Sequence, residues 1–305
     1  MNTNNTVIVT GGAGYIGSHT IIELLENTNY NVISIDNFSN SSVKTFERIE
    51  KVTGKKFDEA KLSKLLNNSV QAEDYWVKIL QLAKNKPSPI DAYFAGVYYM
   101  GPINTAFRGS DECLEYYKEL YKEVKERADK KLLPVTPEGE MEKERFRLVV
   151  EGPPNWTNFR EFWKIFYDMG AVIVASTYTK VGGVYDLGYR QNPDKPLESL
   201  ATYCMGCYTN LNLPQRVDLI EKYVKEYQAD GFLINSIKSC NSFSAGQLMI
   251  MREIEQRTGV PVGFIESDLV DPRYFSYANI KNRLESYFQM LEQRKIILSQ
   301  ESLTV

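Results

Sequence analysis

Apolar positions in this chain follow two periods that take turns. Thr6–Thr10 and Asn31–Ile35 are short β-branched runs, and between them Ile16–Leu25 repeats its apolar residues at helical spacing, with Ile21, Leu24 and Leu25 on the inward face. This predicts one β–α–β unit. Asp58–Leu82 then reads as a helix with Leu62, Leu65, Leu66, Val70, Trp76, Ile79 and Leu80 as its apolar set, ended by Pro87-Ser-Pro89. Asp111–Lys130 reads as a second, highly charged helix, and 132–143, with Pro134, Pro137 and Gly139, as a polar connector. Beyond it, strand patterns at Arg147–Glu151, Ala171–Ser176, Gly231–Ser236 and Val260–Glu266 alternate with helix patterns at Asn158–Met169, Pro214–Gln228, Ser244–Arg257 and Ser276–Lys295. A long loop over 176–213 interrupts them. The alternation predicts a doubly wound, four-stranded parallel sheet, whose ligands belong at the carboxyl ends of its strands. The fold class is therefore α/β in three parts: 1–57 a partial nucleotide-binding unit, 58–144 a helical bridge, and 145–305 the sheet domain.

The first turn carries chemistry. Gly11-Gly12-Ala13-Gly14-Tyr15-Ile16-Gly17 joins a strand to a helix in the manner of a Rossmann fingerprint. Gly11 permits the turn, Gly14 lets backbone approach a pyrophosphate, and Gly17 allows close helix packing. The helix start presents free N–H groups to phosphate oxygens. Asp36, at the end of the second strand, stands where an acid accepts from adenosine ribose hydroxyls.

Composition narrows the options. With 36 basic and 39 acidic residues and a net charge of -3, no overall field favours nucleic acid or a membrane surface. The polar Met1–Asn5 start has neither a basic region nor a long apolar run, so neither a signal peptide nor a membrane span is expected, and the protein is expected in the cytoplasm. Four cysteines (Cys113, Cys204, Cys207 and Cys240) in such a chain point to buried, catalytic or metal-binding thiols rather than a disulfide framework. Cys113, beside Leu114 and Tyr117, reads as a small core residue. A single histidine, His19, argues against His-based metal sites and Ser-His-Asp catalysis.

Three segments extend the glycine signal: Val9–His19, Ile35–Ser42 and Arg48–Lys56. They resemble the UDP-glucose 4-epimerases, which are extended short-chain dehydrogenase/reductases. The resemblance implies that Gly11, Gly14, Tyr15, Ile16, Gly17, Asp36 and Asn37 contact NAD. It ends near residue 57. The third strand and adenine pocket of that family do not follow. Two Tyr-x-x-x-Lys spacings, Tyr121–Lys125 and Tyr277–Lys281, lie in sequence unrelated to its catalytic helix.

Cys240, in Ser239-Cys240-Asn241-Ser242, follows the Gly231–Ser236 strand and precedes a helix, at the edge where ligands bind; helix N–H dipoles there favour a thiolate. Around it, Thr209–Leu213, Asp230–Cys240, Phe264–Asp268, Asp271–Ser276 and Asn282–Ser286 resemble the 2-hydroxyacyl-CoA dehydratase and benzoyl-CoA reductase family, over about Asp58 to Lys295. The resemblance implies a cysteine-held [4Fe–4S] cluster, a CoA thioester substrate reduced by one electron to a ketyl radical, a homologous second subunit and an ATP-dependent activator. Cys240 matches the family's last cysteine ligand. The two earlier ligands belong to a domain expected before residue 58, where this chain has no cysteine. Cys204-Met-Gly-Cys207 has a spacing that suits cluster or zinc ligation.

Thr53-Gly-Lys-Lys56 occurs at this point in both families, which makes it a candidate crossover between an epimerase-like front and a dehydratase-like remainder. The sequence thus suggests a fused, shortened subunit that is inactive alone. Two alternatives are an NAD-dependent sugar-nucleotide epimerase and a non-catalytic binding remnant.

Overall fold

The computed structural model describes residues 6–56, 58–102, 107–136, 138–179 and 190–302. Pro137 and most of the first half of the expected 176–213 loop lie outside the described residues.

The front is the predicted β–α–β unit with one further helix. Strands β1 (Thr6–Thr10) and β2 (Asn31–Ile35) pair in parallel, in register from Thr6↔Asn31 to Thr10↔Ile35, with α1 (Tyr15–Asn27) between them and α2 (Lys44–Thr53) after them. Val9, Ile21 and Ile49 form the small core on the helix-covered face. Two strands and one such face bury little area, and a ribbon of this kind is marginal alone. The opposite face, through Ile33 and Ile35, rests on Leu62, Leu66 and Val70 of α3 (Glu59–Gln81). The front is thus docked on the bridge, and α3 serves as the second helical layer of its sheet.

The bridge continues through a 3₁₀ turn at Leu82–Lys84, α4 (Ala92–Tyr98) and α5 (Asp111–Asp129). Side-chain caps start each helix: Asp58 accepts from Lys61 N–H, Asp91 from Tyr93 and Phe94 N–H, and Ser110 from Cys113 N–H. Trp76 of α3 meets Tyr117 of α5 edge to face, ring centroids 5.9 Å apart. The expected polar connector instead forms a small antiparallel hairpin, β3 (Val135–Thr136) with β4 (Gly139–Glu140).

The main sheet contains β5 (Phe146–Glu151), β6 (Ala171–Ser176), β7 (Gly231–Ile237) and β8 (Val262–Ser267), all parallel, in the order β6-β5-β7-β8. Every residue of β5, β6 and β7 is buried, as a parallel sheet covered on both faces requires. α6 (Phe159–Asp168) and α11 (Tyr277–Ser302) cover one face through Phe162, Trp163, Phe166, Leu284 and Phe288. α8 (Leu213–Glu226) and α10 (Gln247–Thr258) cover the other through Ile220, Val224, Ile250 and Ile254. Trp76 and Tyr117 of the bridge belong to that same second cluster, so 58–144 and the sheet share one core.

Four differences from the periodicity have local causes. α2 closes on Gly54 in the left-handed conformation, a stop read only as part of a motif. α4 has no polar face to mark a period, because Ala92–Gly96 are all buried. α7 (Pro196–Met205), which opens on a proline, occupies part of the expected loop. The helix expected from Ser244 is split: Asn241–Ser244 forms one turn, α9, and Gly246, at φ 79°, redirects the chain before α10.

Candidate functional site

The chain leaves β5 for β6 on one side and returns to β7 on the other. The carboxyl ends of β5 and β7 therefore flank a topological switch point, where doubly wound sheets bind ligands. The Cys240 turn lies there, directly after β7. It is tightly fixed. Cys240 N–H donates to Ile237 O, while its carbonyl accepts from Phe243 N–H, Ser244 N–H and Ser244 Oγ. Buried Asp268, just past β8, accepts from Ser239 N–H at 3.1 Å and from the N–H groups of Val270 and Asp271. A hydrogen bond from the Ser239 side chain foremost, and these backbone bonds after it, hold its carboxyl down at about 2 against desolvation. The helix that Cys240 precedes is a single turn of four residues, so it carries little of the dipole that a longer helix provides. Cys240 itself is half-buried.

Beside this turn lies a buried polar group that periodicity did not single out. Glu151, the last residue of β5, is fully buried; Tyr208 Oη donates to its Oε1 at 2.7 Å and Gln247 Nε2 to its Oε2 at 3.1 Å. Desolvation pushes the Glu151 carboxyl up to about 7 despite those bonds and the nearby Arg216 charge. Arg216 is also buried, lies 5.1 Å over the Tyr208 ring, and donates to the carbonyls of Thr209 and Leu211. The sequence carries a signal for these residues in the polar positions that interrupt apolar faces. Arg216 sits one turn before Ile220 on the apolar face of α8, Gln247 occupies the corresponding place before Ile250 and Ile254, and Glu151 ends an otherwise buried strand.

Cys204 lies in the last turn of α7 and Cys207 follows the helix, with Cys207 N–H donating to Cys204 O at 3.4 Å; both residues are exposed. Desolvation of the sulfur and the neighbouring Cys204 push the Cys207 thiol up from its ordinary value. Tyr208, the next residue, stacks on Phe243 of the Cys240 turn with centroids 6.3 Å apart, so both cysteine segments lie at one sheet edge. Proximity of the segments is not a ligand set. Among the described residues, no three Cys, His, Asp or Glu side chains gather closely enough to hold a metal ion. These residues alone do not fit a [4Fe–4S] cluster, which needs three or four converging ligands. Cys113 lies in the bridge, buried, its thiol pushed up to about 11 by desolvation.

The glycine turn of the front has its expected shape. Gly11, at φ 67°, donates to Ile35 O at 2.7 Å, and Gly14 caps α1. A Cβ on Gly17 would stand 2.2 Å from Gly11 O, so the close approach is between helix and turn. Asp36 is already engaged by the turn: it accepts from Ala13 N–H, Phe38 N–H and Ser41 Oγ at 2.7–2.8 Å. Desolvation opposes these bonds, yet they lower its carboxyl. Asn37 accepts from Ser39 N–H. Tyr15 is 83% and Ile16 80% exposed, and Tyr15 packs edge-on against His19. The front sheet has two strands, β1 and β2, among the described residues.

Residues 34–291 match the family described as 2-hydroxyglutaryl-CoA dehydratase, D-component. The chain belongs to that family. The family span runs from β2 into α11 and contains the whole switch-point edge. It also begins ahead of residue 57, so family likeness crosses the expected seam. A benzoyl-CoA reductase subunit of Thauera aromatica is 67% identical over 246 residues, covering 81% of this chain and 57% of that protein. The alpha subunit of (R)-2-hydroxyglutaryl-CoA dehydratase of Acidaminococcus fermentans is 27% identical over 246 residues, covering 80% of this chain and 48% of the relative. The chain thus spans about half the length of these relatives, each named as one subunit of an enzyme. A UDP-glucose 4-epimerase of Dictyostelium discoideum is 51% identical over 55 residues, 18% of this chain and 16% of that enzyme. No helix among the described residues is long and apolar enough to cross a membrane.

Proposed function

We propose that this family member is a shortened subunit of the benzoyl-CoA reductase and 2-hydroxyacyl-CoA dehydratase type, joined to an epimerase-like front, and inactive on CoA thioesters by itself. The observation that carries this reading is the Cys240 turn at the switch point, inside a span that is largely shared with the Thauera aromatica reductase subunit. In this reading Cys240 is one cluster ligand, Cys204 and Cys207 are the further candidates, and a homologous subunit and an ATP-dependent activator are the partners. A cluster, when bound, would supply low-potential electrons. Among the described residues no three candidate ligands gather, which is the basis for expecting less than a full set from this chain. The test is anaerobic reconstitution followed by iron and acid-labile sulfide assay. The expected result is well below one cluster per chain. About four irons per chain, lost in Cys240→Ser, would overturn it.

A second reading, an NAD-dependent epimerase, is favoured by the glycine turn and the short match to UDP-glucose 4-epimerase. Asp36 is bound into its own turn and the front sheet is narrow, so NAD affinity is expected to be weak or absent. Calorimetry should detect no micromolar binding. Such binding, abolished by Gly14→Val, would sink this expectation.

A further inference from the structure

Four polar side chains buried at one sheet edge call for an explanation, because burying Glu, Arg, Tyr and Gln is costly unless each is held for a purpose. Glu151 binds two separate elements at once: Tyr208 from the segment after Cys207, and Gln247 from the first turn of α10. Tyr208 links Glu151 to the Cys240 turn through its side chain. Its hydroxyl is on Glu151, Arg216 lies over its ring, and its ring stacks on Phe243. Phe243 N–H in turn donates to the carbonyl of Cys240. A continuous path therefore runs from the end of β5 through Tyr208 and Phe243 to the Cys240 turn.

We propose that Glu151 is a positioning residue: through Tyr208, it holds the Cys204–Cys207 segment against the Cys240 turn at the switch point. Arg216 serves the same segment from the other side by binding the carbonyls of Thr209 and Leu211. The inference concerns how the two thiol segments are held and does not depend on iron binding, so it stands or falls separately from the function proposed above.

The geometry also says which substitution should be tolerated. The Glu151→Gln side chain keeps an oxygen to accept from Tyr208. Its new amide N–H has an acceptor at hand, because Gln247 Oε1 is buried and has no hydrogen-bond partner. Glu151→Ala leaves both Tyr208 and Gln247 without their acceptor. Tyr208→Phe removes only the hydroxyl and keeps the ring stack.

The experiment is iodoacetamide labelling of the full chain, with the rate at each cysteine read by mass spectrometry. Half-buried Cys240 reports the turn, and Cys113, buried in the bridge, reports global opening. Losing a buried hydrogen bond to a charged group corresponds to about tenfold or more in the opening equilibrium. Glu151→Ala should therefore raise Cys240 labelling about tenfold while Cys113 is unchanged. Tyr208→Phe should shift it in the same direction, and Glu151→Gln should restore the wild-type rate. The proposal is overturned if Glu151→Gln behaves like Glu151→Ala, or if Cys240 labels at the wild-type rate in Glu151→Ala. Should Glu151→Ala unfold the chain and expose Cys113 too, Tyr208→Phe decides: selective exposure of Cys240 supports the proposal, and no change refutes it.

Discussion

Replacing Arg147 by alanine is expected to destabilise the protein by about 3–5 kcal/mol, the usual cost of breaking a buried ion pair from one side. Arg147 projects from β5 and is buried; its guanidinium donates to the carbonyls of Ala83, Asn85 and Tyr227 and pairs with Glu144 at 2.7 Å. One side chain thus ties the end of α3 and its 3₁₀ turn to the sheet and to the end of α8. Truncation removes this donor from three carbonyls and the charge partner of Glu144, which still accepts from Ser88 N–H. The contrast is with exposed pairs such as Lys225–Glu221, whose loss should cost about 0.3–0.5 kcal/mol. Urea unfolding followed by circular dichroism measures both. An Arg147→Ala loss below about 1 kcal/mol, the scale of an exposed pair, would refute the clamp.

Asp91→Ala is expected to cost a similar amount, about 3–5 kcal/mol, because it strips the acceptor from three buried donors. Asp91 Oδ1 accepts from Tyr93 and Phe94 N–H at the start of α4, and Oδ2 from Ile173 N–H of β6 at 2.8 Å. The same residue gives a pH dependence with a definite sign. Desolvation outweighs these bonds and pushes its carboxyl up to about 6, from an ordinary value of 3.8. The folded state therefore binds this proton more tightly than the unfolded chain. Its contribution to stability is fully present below about 4 and is lost as pH rises through about 6, over a range of up to about 3 kcal/mol. Urea midpoints of wild type and Asp91→Asn, compared from pH 4 to 7, test this directly. Glu151 titrates in both proteins and cancels. The advantage of wild type over the variant should shrink as pH rises, and a difference independent of pH would count against the linkage.

Much of the architecture was legible because the interactions that specify it are local. β1, β2 and β6 run between the residues their β-branched stretches predicted, and α3 and α5 start on the caps Asp58 and Ser110. The alternation of strands and helices implied a parallel sheet, and the place of Cys240 just past one of its strands put it at the carboxyl edge. Burial hid other elements. α4 is apolar on every side, so it has no period to read, and α7 was masked by the polar stretch around it.

The sequence by itself determined the β–α–β turn with Gly11, Gly14 and Gly17, the four-stranded α/β sheet, and the position of Cys240 just past a strand end. Each depends on dihedral preferences or periodicities that act within about ten residues. Only the tertiary structure decided that the front sheet rests on α3, that the bridge and the sheet share one core, and that the segments of Cys207 and Cys240 reach the same edge. It alone brought Glu151, Tyr208, Arg216 and Gln247 together from four elements. No single segment carries that information, because the network exists only once the crossovers have closed over the switch point and removed water from it.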